Sequence, residues 1–198
     1  MVAMTATTGS FSLPHGRPFT VHDLEATPDD GNRYELLDGM LLVSPAPSFR
    51  HQKVVAQLVV LLDAVCPTDM HVLPAPFAVQ PSETTELQPD VLVARDEDLT
   101  EKNLPAAPLL AVEVLSPSSV LKDLNLKKAA YQRMGVPSYW VVDPRTLSLT
   151  VFELDSTGFR YQLVAEVAGD KSFEATQPFA VRVVPAELLG GLAPEPAD

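Results

Sequence analysis

Residues 109–142, LLAVEVLSPSSVLKDLNLKKAAYQRMGVPSYWVV, decide the fold. Leu109–Leu115 is an apolar run interrupted by a single acid, Glu113, and reads as a buried strand. A helix is predicted from about Ser119 to Met134: Ser116 to Ser119 offer N-caps, and Gly135 followed by Pro137 stops it. Ser138–Val142 is then a second strand. Strand, helix and strand in this order belong to a mixed α/β sheet with helices on its faces.

The same reading extends in both directions. From Phe49 to Val65 the spacing is helical, with His51, Val55, Leu58, Leu62 and Val65 on one face. His71–Gln80 and Pro89–Ala94 read as strands, with Pro89 at a first position, where a missing N–H does least harm. Upstream, Arg33–Leu37 and Met40–Val43 flank Asp38-Gly39 and form a hairpin, because Asp-Gly supplies the positive φ angles of a tight turn. A short helix near Thr20 precedes it, followed by a polar turn over 28–32. Downstream, Leu147–Leu154 and Phe159–Val167 form a hairpin around 155–158. The expected organisation is a flexible arm over 1–18, one domain over 19–190 and a disordered tail over 191–198.

Composition narrows the class. A chain of 198 residues, 46% hydrophobic and 20% charged, is long enough to bury roughly 70% of its unfolded surface without metal or disulfide staples. The lone Cys66 excludes an intramolecular disulfide and any CxxC motif, and points to a reducing, cytoplasmic setting. No apolar run approaches the ~18 residues of a membrane span, and residues 1–18 lack a secretory pattern. With 14 Lys+Arg against 26 Asp+Glu, the net charge of −12 argues against nonspecific nucleic-acid binding. The charge is uneven: residues 83–102 are strongly acidic, whereas 119–134 hold Lys122, Lys127, Lys128 and Arg133 against Asp123 alone.

Several residues stand where their chemistry needs an explanation. Glu113 lies within an apolar strand and Asp90 opens Val91-Leu92-Val93. A buried, ionised carboxylate requires a cation, a metal or a proton. An edge-strand position or pairing with an arginine for Glu113, and a turn role for Asp90, are the plain alternatives; together the two suit a hard divalent cation such as Mg2+. Lys127 falls inside the stripe made by Val120, Leu124, Tyr131 and Met134, which demands either a task or a snorkelling stem. Asp123 could pair with it at i,i+4. Lys128 and Arg133 belong to a solvated basic face that could also touch phosphates. His51, in the apolar stripe of the first long helix, is either a satisfied core residue or part of the site. Glu35 alternates with apolar residues, which by default turns it outward.

Tyr34-Glu35-Leu36-Leu37-Asp38-Gly39, His51, Pro89-Asp90-Val91, Glu113-Val114-Leu115-Ser116-Pro117-Ser118-Ser119, Asp123, Lys127, Tyr131, Gly135-Val136-Pro137 and Tyr139-Trp140-Val141-Val142-Asp143-Pro144 occur in one order. That series resembles the bacterial putative restriction endonuclease family, within the PD-(D/E)XK nuclease superfamily, over roughly residues 20–185. The resemblance implies a restriction-endonuclease-like α-β-β-β-α-β core, with the N-terminal hairpin and the C-terminal strands as additions. It implies Mg2+ or Mn2+ on Asp90 and Glu113, with Lys127 assisting. The superfamily's lysine normally stands two residues after the acid, a slot occupied here by Leu115; the family's lysine lies on the following helix, at Lys127. His51 takes the place where many relatives have a helix acid, and Glu35 belongs to the family pattern.

The implied activity is metal-dependent phosphodiester hydrolysis of DNA, in a chain that could act as a homodimer. Two alternatives remain open: an inactive nuclease fold used as a binding or regulatory module, and a hydrolase of a small phosphoester.

Overall fold

The computed structural model describes residues 16–116, 122–190 and 192, and of 122–124 the backbone. Its elements run α1 (Val21–Leu24), β1 (Arg33–Leu37), β2 (Met40–Ser44), α2 (Phe49–Asp63), β3 (Met70–Pro74), β4 (Ala78–Ser82), β5 (Thr85–Leu87), β6 (Val91–Arg95), β7 (Asn103–Leu104) and β8 (Leu110–Val114). A π-helical segment, Lys122–Lys127, continues into α3 (Lys128–Met134). Then come β9 (Ser138–Asp143), β10 (Ser148–Leu154), β11 (Tyr161–Ala168), β12 (Phe173–Ala175) and β13 (Val181–Val183).

The main sheet has the order β11-β10-β9-β8-β6-β3. β8 and β9 are parallel and joined through α3, while the other neighbours are antiparallel. The predicted core order is therefore met by α2, β3, β6, β8, α3 and β9. Between β3 and β6 the chain leaves this sheet: β4 and β5 join the N-terminal hairpin in a second sheet, β2-β1-β5-β4-β7. The stretch His71–Gln80 is thus two strands in different sheets, parted at Ala75-Pro76-Phe77. Pro76 has no N–H to give a ladder, which suits the exit point. Pro89 likewise precedes its strand, because β6 begins at Val91.

The central strands β8 and β9 show one set of side chains to α2 and the other to α3. Val112, Val114, Trp140 and Val142 pack with Val54, Leu58 and Leu62 of α2. Ala111, Leu115, Tyr139 and Val141 pack with Ala130 and Tyr131 of α3. Glu113 shares the parity of Ala111 and Leu115, which directs it to the α3 side.

Local chemistry explains most boundaries. In the β1–β2 turn Asp38 and Gly39 have φ of 50° and 79°, the left-handed values a two-residue hairpin needs. Ser48 caps α2 by accepting the His51 N–H. The buried face of α2 is His51, Val54, Leu58 and Leu62; Val55 is half-buried, and Val65 lies exposed beyond the helix end. Gly135 closes α3 with φ 81°.

The predicted start of this helix at Ser119, the stripe positions Val120 and Leu124 and the Asp123 side chain lie outside the described residues. What is described is a wider turn than expected. Over Lys122–Lys127 the helix is π, so a regular 100° step per residue holds only from Lys127 onward. Residues 1–15, most of the expected arm, and the tail apart from Leu192 also fall outside the description. Arg17, still within the expected arm, forks onto Asp23 of α1.

A candidate active site where two sheets meet

The start of β6 and the end of β8 lie side by side, since the strands are antiparallel and Val91 pairs with Val112. Asp90 stands just before β6 and is buried. Its Oδ2 accepts the Val114 N–H at 2.8 Å and His51 Nε2 at 3.1 Å. Its Oδ1 accepts Arg33 Nη1 at 2.8 Å. His51 arrives from the first turn of α2 and Arg33 from β1, so a single carboxylate is held from three elements.

Glu113, one residue before the amide that holds Asp90, faces the other helix. Its Oε1 accepts Lys127 Nζ at 3.0 Å and the Tyr131 hydroxyl at 2.8 Å. Lys127 Nζ also lies 2.9 Å from Glu35 Oε1, which takes the Gln88 N–H at 2.8 Å. Lys127 is only 2% exposed, and the bland expectation of a snorkelling stem does not apply. Glu35, whose strand alternation turned it outward, is 0% exposed. That face of β1 meets Lys127 of the helical segment after β8 and the Gln88 amide, so the alternation of the strand points Glu35 into the cluster and not to solvent.

The structure therefore brings Glu35, His51, Asp90, Glu113 and Lys127 into one cluster. Lys128 and Arg133 are engaged elsewhere: Lys128 Nζ sits 3.5 Å from the Phe152 ring centroid, and Arg133 Nη2 bonds Asp38 Oδ2. Two members escaped the sequence reading. Arg33 could have been found from its i,i+2 spacing to Glu35, which puts both on one face of a strand. Tyr131 was hidden by its place in an apolar stripe, where a tyrosine reads as core.

Charge decides the protonation of the cluster. Burial pushes the Asp90 carboxyl up, but the His51 hydrogen bond and the charges of Arg33 and Lys127 outweigh it and hold the group well below the usual carboxylate range. Burial opposes the charge of Arg33; Glu35, Asp90 and Glu113 overcome that and raise its guanidinium above the ordinary value. Burial, reinforced by Glu113, drives the Tyr131 phenol well above its usual value, so it remains a donor.

A cavity of about 750 Å³ opens onto this cluster from one side. Arg33, His51 and Asp90 line it together with the loop 44–48 and the turn before β1. Glu35, Glu113 and Lys127 lie behind that wall.

The donor set suits a hard divalent cation in kind: carboxylate oxygens, in a described cluster with three acids against Arg33 and Lys127. Glu35 Oε2 is buried without a hydrogen-bond donor, with Arg33 Nε at 3.8 Å. The arrangement is nonetheless closed. Among the described residues no three His, Cys, Asp or Glu side chains stand grouped as ready metal ligands, and both Asp90 oxygens are already bonded.

The profile of the Uma2 family, described as putative restriction endonuclease, matches residues 20–186. No curated protein matches the chain in sequence. A solved structure, that of a putative nuclease belonging to DUF820 from Anabaena variabilis, has a similar fold, with a TM-score of 0.69. The identity is 15% over 87% of this chain and 98% of that one, a likeness that carries the restriction-endonuclease-like fold.

Proposed function

Because the chain belongs to the Uma2 family of putative restriction endonucleases, a nuclease-like family, we propose that it hydrolyses phosphodiester bonds of DNA, with Mg2+ or Mn2+ held by Asp90 and Glu113. The observation that carries this reading is the junction of β6 and β8. Two buried carboxylates stand at adjacent strand ends, and Lys127 is bonded to the second of them at 3.0 Å.

Nucleases of this fold generally use divalent metals. The cation would polarise the phosphate and acidify a water. The chain's own residues do the positioning. Lys127 is a fixed positive charge that orients the water or offsets charge developing on the phosphate. Glu35 anchors that ammonium from the opposite sheet, and Tyr131 fixes the Glu113 carboxylate. His51 and the Val114 amide set the Asp90 rotamer. In the hydrolysis one water O–P bond forms and one P–O ester bond breaks, the leaving oxygen ending with a proton from solvent.

Cleavage of supercoiled and linear DNA tests the reading, with Mg2+, Mn2+ or chelator and with Asp90→Asn and Lys127→Met beside the wild type. Metal-dependent cutting that both substitutions reduce by about 10²-fold or more is the expected result. Cutting that persists in chelator, or in Asp90→Asn, would overturn it. A wild type that binds no metal and cuts nothing belongs to the inactive binding module instead.

A further inference from the structure

Arg33 lines the cavity beside Asp90 and also reaches towards Glu35, which does not line it. Its Nη1 is 2.8 Å from Asp90 Oδ1, its Nε is 3.8 Å from Glu35 Oε2, and its side chain keeps 26% of its exposure. Asp90 Oδ2 is held by rigid partners, a backbone amide of β8 and a helix-borne histidine. Among the described residues Oδ1 is held by one side chain, long and partly exposed, on β1. Of the two oxygens, Oδ1 is the one whose partner can leave without unpacking the sheet.

We propose that Arg33 is the resident counter-ion of Asp90, that it and a divalent cation exclude one another at Oδ1, and that the displaced guanidinium turns into the cavity to bind a phosphate of the substrate. The proposal rests on the divalent-cation reading above and adds the order of events at its entrance. A cation cannot share Oδ1 with a guanidinium at hydrogen-bond distance without direct like-charge repulsion. Once freed, the guanidinium retains the planar fork that suits two phosphate oxygens. It would also supply positive charge at the cavity mouth, where Asp29, Glu86 and Asp90 otherwise set an acidic wall. Substrate and metal would then bind cooperatively, each favouring the arrangement the other needs.

The test is Mn2+ binding by calorimetry and by electron paramagnetic resonance. It uses the full chain as wild type, Arg33→Gln, Arg33→Lys and Asp90→Asn, with folding checked by circular dichroism. Arg33→Gln should bind Mn2+ about fivefold or more tighter than wild type, because its competitor is gone, and Arg33→Lys should fall between them. With Ca2+ present, a phosphorothioate oligonucleotide should bind Arg33→Gln about tenfold more weakly. A merely structural arginine would not raise metal affinity when removed.

Should Arg33→Gln fail to fold, Arg33→Lys decides alone: Mn2+ affinity equal to or below that of wild type overturns the exchange. If Mn2+ binding is lost in Asp90→Asn but unchanged in both Arg33 variants, the cation site stands and the exchange is wrong. If neither the wild type nor either Arg33 variant binds Mn2+, the cation reading and the exchange fall together.

Discussion

Lys127 holds its ammonium within 3.0 Å of Glu113 and Glu35, two carboxylates borne by different sheets. Its removal does more than delete a contact, since it leaves buried acids without a counter-charge. Such a loss costs about 3–5 kcal/mol. Lys127→Met should therefore lower the melting temperature by about 10 °C in a chain of this size, read by calorimetry. Tyr131→Phe, which removes only one hydrogen bond to Glu113, should cost about 2 kcal/mol. A Lys127→Met protein as stable as Tyr131→Phe would contradict the ion-pair assignment. The residues that were legible in the sequence were those whose charge clashed with apolar surroundings: Glu113, Asp90, Lys127. Arg33 escaped because a polar turn precedes it and nothing nearby marks it as buried. Tyr131 escaped because its ring satisfies the core pattern while its hydroxyl does the bonding.

Two glycines with nearly equal backbone angles separate strain from packing among the elements. At Gly135, with φ 81°, an added Cβ would meet no atom within 4 Å, so Gly135→Ala should lose only the left-handed penalty of about 1 kcal/mol. At Gly39, with φ 79°, the added Cβ would run into Pro18, and Gly39→Ala should cost distinctly more in urea unfolding. Equal losses would mean that the segment around Pro18 yields freely. Long elements were readable because α2, β8 and β9 each carry a period or an apolar run over five or more residues. The second sheet was not. β5 spans three residues and β7 two, too few for any period to register. The π turn before α3 was equally silent, since no Gly or Pro occurs between Lys122 and Lys127 to announce a change of pitch.

Across the whole molecule, the net charge of −12 bears on how the proposed DNA substrate would be met. Among the surface cations Arg17 faces Asp23, Arg133 faces Asp38, Arg145 faces Asp143 and Arg182 faces Glu174, and the chain's 26 acids outnumber its 14 Lys and Arg. Binding should depend on few phosphate contacts and on the cation, not on a broad basic face. Fluorescence anisotropy of a labelled oligonucleotide in Ca2+ over a range of NaCl should give a log–log slope of about −2 or shallower. A slope near −6 would require a basic interface that the described surface does not present. No helix among the described residues is long and apolar enough to cross a membrane.

Two amides of the cluster end on carboxylates: Val114, the last residue of β8, on Asp90, and Gln88, just after β5, on Glu35. Each reports on a different acid. In a nitrogen–proton correlation spectrum they form a pair of built-in indicators. Their signals should move when the charge on their acceptor is shared with an incoming ion, without any label at the site. The sequence in which the two peaks shift during a titration would tell which side of the cluster opens first.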